Sequence, residues 1–287
     1  MSRIALIDGD AIIFAAGFAN ERSHEGNLID LKPEHFAFKK AKDIIARILR
    51  DTECTEYRMY LGDTNKSNFR YQVATIQPYK GSRKDQKRPE HEVALRNYLF
   101  KYHSAIEVQN CETDDALGIE QTEDTIICTN DKDLDMIPGW HYDLDFGKTR
   151  KKKDGIRYKL KAHKTKQMYF ISDPGWIDLR RNEENGKQVL CGGGYLWFCC
   201  QLLLGDKTDD IPSLSRGYGP VKVYGVLKDC QTEKEGIHAV YKEYCAALKD
   251  SLTIEQTQAR LMEIAQLVWI KRALNDDIIF KRSWLDE

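Results

Sequence analysis

The sequence lacks the features that would anchor it in a membrane or cross-link it. None of its 287 residues lies in an apolar run near the ~20 residues needed to span a bilayer. Its eight cysteines include no Cys-x-x-Cys pair, so neither a zinc knuckle nor a dithiol redox site is indicated. The apolar segment that begins at Ile4 is too short for a signal peptide. We therefore expect a soluble, cytoplasmic protein with reduced cysteines.

The formal net charge is also small, at −1, but the charges are segregated along the chain. Residues 148–166 carry ten Lys or Arg against one Asp, and residues 66–101 carry nine against three acids. Residues 112–145 carry eleven acids and a single base. Such blocks cancel in the total but not in the field around the folded protein. Each basic block is either a contact surface for nucleic acid or a solvated face, and the charge pattern leaves both open.

Apolar segments in the first half of the chain alternate with helical patterns and end in acidic residues. Strands are predicted over residues 3–7, 57–61, 105–108 and 125–129, with helices over residues 33–52 and 90–102. This order predicts an α/β fold with a mostly parallel central sheet and helices on both faces. Ligands of such sheets bind outside the carboxyl ends of the strands, so the acids should converge there. In the second half we predict β-hairpins within residues 156–180, a helix over residues 194–204, and helices after residue 233.

A set of carboxylates carries the candidate chemistry. Its members are Asp8, Asp63, Glu112, Asp114, Asp131, Asp133, Asp206 and Asp209. Gathering so many acids is unfavourable unless cations neutralise them, and oxygen ligands without Cys or His select Mg²⁺ or Mn²⁺. Two such ions ~4 Å apart activate a water and stabilise the leaving oxygen of a phosphodiester. For any one of these residues taken alone, a helix cap or turn is the simpler interpretation.

A glycine-containing hairpin follows the last two aspartates. Gly217 and Gly219 flank Tyr218 just before a helix that would contain Lys222. Glycines allow close approach of the backbone to a phosphate, and the N–H groups at a helix start bind the anion. This contact would bind DNA without reading its sequence. An ordinary loop with a glycine cap is the alternative interpretation.

Together these segments resemble the flap endonuclease and 5′→3′ exonuclease family, which includes bacteriophage 5′ exonucleases and the 5′-nuclease domains of bacterial DNA polymerases. The similar segments occur in the family's order over residues 4–225. They are Ile7-Asp8-Gly9-Asp10; Asn68-Phe69-Arg70 with Tyr79-Lys80-Gly81-Ser82-Arg83; Glu112-Thr113-Asp114-Asp115-Ala116; Thr129-Asn130-Asp131-Lys132-Asp133-Leu134; and Gly205-Asp206 through Pro212. Asp10 departs from the family, which usually has a neutral residue there, and is either a spectator or an extra acid.

The resemblance implies roles for these residues. The first metal ion would be held by Asp8, Asp63, Glu112 and Asp114 with Asp115 close by, and the second by Asp131, Asp133, Asp206 and Asp209. Tyr79, Lys80 and Arg83 would form the base of an arch that admits a single-stranded 5′ end. Lys80 and Arg70 would contact the scissile phosphate. Gly217, Gly219 and Lys222 would hold duplex DNA, with a K⁺ ion allowed at the hairpin carbonyls.

The resemblance also implies an organisation and an activity. Residues 1–190 would form a PIN-like or resolvase-like nuclease core with an arch segment at about 64–100, and residues 191–287 a helix-hairpin-helix region that shares its core. The activity would be a two-metal 5′→3′ exonuclease or flap endonuclease acting on DNA, in phage replication or recombination within the host cytoplasm. A PIN-type ribonuclease and a non-catalytic protein that binds DNA structures are the alternatives. The sequence leaves open whether exonuclease or flap cleavage dominates.

Overall fold

The structure is a computed structural model, and it describes residues 3–18, 20–22, 28–65, 67–146, 149–151, 157–159, 167–182 and 185–276. The chain divides into two compact units. Unit 1 consists of residues 1–64, 87–131 and 139–170, and unit 2 of residues 65–86, 132–138 and 171–287. Residues 65–86, 132–138 and 171–190 group with the carboxyl-terminal part.

Unit 1 contains most of the strands, which are numbered with the helices in chain order. Its strands are β1 (Ile4–Asp8), β2 (Asn20–Arg22), β3 (Leu28–Leu31), β4 (Glu56–Gly62), β5 (Ile106–Val108), β6 (Thr125–Thr129), β7 (Gly139–Asp143), β8 (Thr149–Lys151), β9 (Arg157–Lys159) and β10 (Met168–Ile171, whose last residue falls in unit 2). Its helices are α1 (Gly9–Ala16), α2 (Glu34–Thr52), α4 (Glu92–His103) and α5 (Thr113–Glu120).

Six of these strands form one sheet in the order β10-β7-β6-β1-β4-β5. The strand β1 lies at its centre and pairs parallel with both β4 and β6, while β5 and β7 extend the sheet in parallel on either side. Residues Ala5, Leu6 and Ile7 of β1 are fully buried, as expected for a strand covered on both faces. The predicted α/β fold with a mostly parallel sheet is therefore confirmed, and the carboxyl ends of β1, β4, β5 and β6 lie at one edge.

The helices of unit 1 bury amphipathic faces in its core. On α2, Ala41, Ile44, Ile45 and Ile48 recur at helical spacing and are buried. This helix begins after Pro33, and its core cluster also includes Leu95 and Leu99 of α4. The strand β7 was not predicted, because Trp140, His141 and Tyr142 do not form an uninterrupted aliphatic run.

Unit 2 is mainly helical. Its elements are α3 (Arg70–Val73), β11 (Trp176–Arg181), β12 (Gln188–Gly193), α6 (Tyr195–Leu204), α7 (Pro220–Leu227), α8 (Glu233–Leu248) and α9 (Ile254–Val268). Short 3₁₀ turns lie at Gly81–Asp85 and Lys132–Met136. The almost entirely buried α6 contacts α7, α8 and α9, and the hydroxyl of Tyr244 donates to the carbonyl of Leu202 over 2.8 Å. The apolar helix predicted over residues 194–204 thus forms the centre of unit 2.

Some predictions concern segments with little regular structure. Between residues 64 and 91 the described backbone contains only α3 and the turn at Gly81–Asp85 as helical pieces. The basic block 148–166 lies outside the described residues except for the backbone of β8 and β9, which pair antiparallel.

Across the described ranges, no helix is both long enough and apolar enough to cross a membrane.

Candidate active site

The first acid of the set, Asp8, lies at the carboxyl end of β1 and caps α1. Its Oδ1 accepts from the backbone N–H of Ala11 over 3.0 Å, and its Oδ2 accepts from the hydroxyl of Thr129 over 2.8 Å. The residue is only 7% exposed. A carboxylate is thus buried where β1 meets the end of β6, and two hydrogen bonds fix its direction.

Burial and neighbouring charge disfavour the ionised form of Asp8. Desolvation is the main cause and, with the negative charges of Asp10 and Asp131, raises the pKa of Asp8 to about 7. The hydrogen bonds from Ala11 and Thr129 act in the opposite direction and are outweighed. A cation near Asp8 would reverse the balance, because it stabilises the carboxylate that burial disfavours. The electrostatics of this position therefore fit a bound cation.

Asp10 joins three segments of unit 1. Its Oδ2 accepts from the backbone N–H of Gly62 over 2.9 Å and from the hydroxyl of Thr113 over 2.6 Å. The guanidinium of Arg96 lies 3.7 Å from its Oδ1 and also donates to the carbonyl of Gly62 over 2.8 Å. Gly62 precedes Asp63, and Thr113 lies between Glu112 and Asp114. Asp10 therefore fastens the end of β4 and the start of α5 to the start of α1.

Replacing Asp10 with alanine is expected to destabilise the protein by about 1–3 kcal/mol, because the partly buried N–H of Gly62 and the hydroxyl of Thr113 lose their acceptor. Asp10→Asn keeps an acceptor oxygen and should cost less. Urea unfolding of the two variants and of the wild type would measure the difference. Equal midpoints and slopes for all three proteins would show that the contact contributes nothing.

The acids at the start of α5 form a capping box. The side chain of Glu112 accepts from the backbone N–H of Asp115, and Oδ2 of Asp115 accepts from the backbone N–H of Glu112 over 2.9 Å. Asp115 is fully buried, whereas Glu112 and Asp114 are partly exposed. Glu112 and Asp115 are thus helix-cap residues, as the simpler interpretation holds. Asp114 lies between them in sequence, takes no part in the capping box, and has a partly exposed side chain.

Thr129 organises the remaining acid of this edge. Its hydroxyl donates to Asp8, as described, and its oxygen accepts from the backbone N–H of Asp131 over 3.1 Å. Asp131 is exposed, and Asp63 is partly exposed just after β4. Among the described residues, no three or more Asp, Glu, His or Cys side chains are arranged closely enough to hold a metal ion. The carboxylates fit a hard cation by donor chemistry and by position at the sheet edge, and they are not closed around one.

In unit 2, Asp206 begins a tight loop that requires glycine before it. Gly205 has φ +63°, and a Cβ there would lie 2.3 Å from the carbonyl oxygen of Ile211. The backbones of Asp206 and Ile211 exchange hydrogen bonds of 2.9 and 2.7 Å. Oδ1 of Asp206 accepts from the N–H of Thr208 over 2.7 Å. The loop therefore fixes the position of Asp206 by contacts within seven consecutive residues.

Asp209 receives three side chains from the basic segment of unit 2. The hydroxyl of Tyr79 donates to its Oδ2 over 2.8 Å, and Nζ of Lys80 lies 3.4 Å from the same oxygen. Arg83 pairs with the other oxygen and donates through Nε to the carbonyl of Thr208 over 3.2 Å. Three residues predicted to form the base of the arch are thus grouped on one carboxylate predicted to bind a metal.

The backbone reinforces this grouping. The N–H of Lys80 donates to the carbonyl of Asp209 over 2.9 Å, and the N–H and hydroxyl of Ser82 both donate to the carboxylate of Asp210 over 2.8 Å. These two hydrogen bonds from Ser82 hold the pKa of Asp210 below its usual value. The segment from Tyr79 to Arg83 is therefore attached to the loop at residues 206–211.

Asp133 is oriented by a buried glutamine. Nε2 of Gln201 on α6 donates to Oδ1 of Asp133 over 2.6 Å, and the indole N–H of Trp197 donates to the carbonyl of Lys132 over 3.1 Å. Both partners lie on one face of a buried helix, so the turn at Lys132–Met136 has a fixed position in unit 2.

Arg70 is placed differently from the prediction. It is 2% exposed, and its Nε donates to the carbonyl of Leu267 over 3.0 Å while Nη2 donates to the carbonyl of Trp269. A guanidinium enclosed in this way stabilises the end of α9 and is inaccessible to a phosphate in this conformation. We therefore assign Arg70 a structural role within unit 2, in place of the predicted contact with the scissile phosphate.

The glycine hairpin has an open backbone. Gly217 has φ +102°, and a Cβ at Gly217 or Gly219 would meet nothing within 4 Å. The helix α7 starts at Pro220, and Nζ of Lys222 lies 3.5 Å from the ring centroid of Tyr218. The hairpin therefore has open space for a phosphate against its backbone, and the ammonium group of Lys222 lies nearby. The hairpin interpretation requires both features.

Sequence reasoning missed three residues that position the acids of unit 1. Thr113 and Thr129 lie inside the acidic segments quoted above, but a hydroxyl between acids does not by itself indicate a hydrogen bond. Arg96, which contacts Gly62 and Asp10, lies on α4 in no recognisable pattern. Only the fold brings these residues to the acids.

The mostly parallel sheet with carboxylates at one edge defines an α/β protein. Two solved structures from bacteriophage T5 share this fold at 15% sequence identity. The T5 D15 protein co-crystallised with metal ions matches with a TM-score of 0.51, covering 92% of this chain and 88% of that chain. The T5 D15 flap endonuclease, in a pseudo-enzyme–product complex with DNA and metal ions, matches with a TM-score of 0.50 over 92% and 90% of the two chains.

At this identity the likeness shows the fold, and the resemblance to flap endonucleases drawn from the sequence is confirmed at that level. No protein-family model and no curated protein matches the chain.

Proposed function

We propose that this protein is a metal-dependent nuclease that cleaves DNA from its 5′ side, as a 5′→3′ exonuclease or flap endonuclease. The observation that carries the proposal is the position of Asp8, Asp63, Glu112, Asp114 and Asp131 at one edge of the parallel sheet of unit 1, within the fold of a flap endonuclease. The burial of Asp8 among acids supports it, because that arrangement costs stability unless a cation is bound.

The proposed ligands are oxygen donors, which suits Mg²⁺ or Mn²⁺. Asp8, Asp63, Glu112 and Asp114 would hold the first ion, with Asp115 fixing Glu112 through the capping box. The order of the sequence segments supports Asp131, Asp133, Asp206 and Asp209 as ligands of the second. When bound, such ions activate a water and stabilise the leaving oxygen of the phosphodiester. Thr129 would orient Asp8, and Gln201 would orient Asp133.

The DNA contacts of the proposal divide between two parts of unit 2. Lys80 and Arg83, with Tyr79, supply positive charge and a hydroxyl beside Asp209, and we propose that they meet the phosphate near the 5′ end. Gly217, Gly219 and Lys222 would hold the duplex, with room for a K⁺ ion at the hairpin carbonyls. Both structures named above are of bacteriophage proteins, and we extend to this chain a role in phage DNA replication or recombination.

Parallel digestion of labelled DNA and RNA duplexes in Mg²⁺, each repeated with excess chelator, would test this proposal. We expect cleavage of DNA that stops when the metal is removed. Preferential cleavage of RNA would favour a PIN-type ribonuclease, and metal-independent DNA binding without cleavage would favour a non-catalytic binding protein. Either outcome would contradict the proposal.

A bulky group on the 5′ end of the substrate is expected to slow product release several-fold. The reason is that Lys80 and Arg83 would contact a strand threaded past them, and a large adduct hinders that passage. Comparing single-turnover and steady-state rates on free and streptavidin-blocked 5′-biotinylated flaps would separate release from cleavage. Identical steady-state rates for the two substrates would contradict threading while leaving the nuclease assignment intact.

A further inference from the structure

The ammonium group of Lys222 has two partners within unit 2. Its Nζ lies 3.5 Å from the ring centroid of Tyr218 and 3.7 Å from Oε2 of Glu243 on α8. The hydroxyl of Tyr218 donates to the same carboxylate oxygen over 2.6 Å. One acid therefore holds both the lysine and the tyrosine of the glycine hairpin.

The two partners of Lys222 are less exposed than the lysine itself. Tyr218 is buried, the side chain of Glu243 is 26% exposed, and that of Lys222 is 48% exposed. Burial and the hydrogen bond to Glu243 raise the pKa of Tyr218, so its hydroxyl stays protonated and continues to donate. Lys222 is thus held against an aromatic ring and a partly desolvated carboxylate, while about half of its surface faces solvent.

A DNA phosphate that reaches the hairpin must compete with Glu243 for the same ammonium. We propose that Glu243 is an intramolecular competitor, which pairs with Lys222 in the free protein and weakens the grip of the hairpin on duplex DNA. This inference rests on the DNA-binding role proposed above. Its consequence is faster release from duplex DNA, since Glu243 recovers Lys222 whenever the phosphate leaves.

The competition has a signature in the salt dependence of binding. A lysine that neutralises a phosphate adds about 0.9 to the slope of log K against log salt on duplex DNA. When Lys222 leaves Glu243 for a phosphate, the freed carboxylate attracts a cation from solution and offsets part of the cation release from the DNA, so the net contribution to that slope is smaller. Removing the charge of Glu243 should therefore both tighten binding and steepen its salt dependence.

The test measures binding of a fluorescent flap duplex by anisotropy in chelator, over a series of salt concentrations. The proteins are wild type, Glu243→Gln, Lys222→Gln and the double variant. Glutamine keeps an oxygen that accepts from Tyr218, so the hairpin should retain its fold, and thermal unfolding would verify this. Asp250→Asn is the matched control, because it removes one negative charge from an exposed position just after α8.

We expect Glu243→Gln to tighten binding about two- to fivefold and Asp250→Asn to change it much less. In the Lys222→Gln background, Glu243→Gln should have no effect. Equal tightening with and without Lys222, or by Asp250→Asn, would overturn the inference in favour of a general field. If Glu243→Gln binds DNA as the wild type does, the inference about Glu243 is overturned and the proposed function stands. If the wild type binds no DNA, the proposed function is overturned as well.

Discussion

Asp8→Asn is expected to lower the rate of DNA cleavage by roughly two to four orders of magnitude while making the metal-free protein more stable. The loss follows if Asp8 is a ligand of a catalytic cation, because such an ion supplies several kcal/mol of transition-state stabilisation and each order of magnitude is about 1.4 kcal/mol. Asparagine is also a good helix cap, so α1 should persist, and the amide Nδ2 that replaces Oδ2 would donate to the oxygen of Thr129 instead of accepting from its hydroxyl.

The gain in stability follows from the buried charge. Because the folded state raises the pKa of Asp8 from 3.8 to about 7, the folded protein binds more protons than the unfolded chain between these values. The stability of the wild type should therefore fall as pH rises from about 4 to about 7, by a few kcal/mol in total. Below pH 4 the carboxyl is protonated in both states, so the pH-dependent difference should disappear there.

Thermal unfolding of both proteins in chelator, from pH 4 to pH 8, would measure this effect. Asp8→Asn should lack the decrease, and added Mg²⁺ should stabilise the wild type above pH 7 but not the variant. Asp124→Asn is a suitable control, because this exposed acid lies at the opposite end of β6. A variant that unfolds like the wild type at pH 8 in chelator would show that Asp8 carries no such penalty.

The second large effect is expected for the acids assigned to the other ion. Asp131→Asn and Asp206→Asn should each abolish measurable cleavage while leaving metal-independent DNA binding within about twofold of the wild type. Both changes remove one charge and keep the shape of the side chain, and the proposed DNA contacts of Gly217, Gly219 and Lys222 are not altered. Binding by anisotropy in chelator and cleavage in Mg²⁺ would separate the two functions.

These variants also have clear controls. Asp131 is exposed and Asp206 accepts a hydrogen bond from the N–H of Thr208, which an asparagine oxygen can also accept. Loss of folding is therefore not expected, and circular dichroism would show whether it occurs. Cleavage at wild-type rates in both variants would contradict the two-metal proposal, whereas loss of DNA binding together with cleavage would indicate a structural role.

Much of the fold could be predicted from sequence because buried parallel strands appear as short apolar runs. The segments at 3–7, 57–61 and 125–129 were found within one residue of β1, β4 and β6. The alternation of these strands with helices predicted a mostly parallel sheet, which the structure has. The strand β7 was missed because its polar His141 breaks the apolar run, although the folded protein buries it.

The site could be predicted only in part, because its contacts join residues far apart in sequence. The acids from Asp8 to Asp133 were identified by their position after strands, which is a local signal. The bond from Thr113 to Asp10 spans 103 residues and that from Thr129 to Asp8 spans 121, and no local pattern encodes either. For Arg70 the local pattern indicated the wrong contact. Its position within a recognised segment suggested a contact with the phosphate, but the guanidinium instead donates to the carbonyls of Leu267 and Trp269, which are distant in sequence.

The pairing of Asp209 with Tyr79, Lys80 and Arg83 has a similar origin. From sequence these residues were assigned to two separate functions. Asp209 was assigned to metal binding, and the basic segment was assigned to contact with the single-stranded 5′ end of the DNA. The structure of unit 2 shows that the carboxylate and the basic segment are in contact before any ligand arrives. Asp209 therefore positions the basic segment. To act also as the proposed metal ligand, its carboxylate oxygens would have to bind the ion and these partners together.

Mapping the cleavage products of 5′-labelled and 3′-labelled flap, nicked, gapped and blunt DNA duplexes, with Mg²⁺ and with excess chelator, tests the central claim most directly. The account predicts products released from the 5′ side in Mg²⁺ only. Comparing the flap and nicked substrates would show whether flap cleavage or exonuclease cleavage dominates. Cleavage from the 3′ side, cleavage that survives the chelator, or no cleavage of any of the four substrates would contradict it.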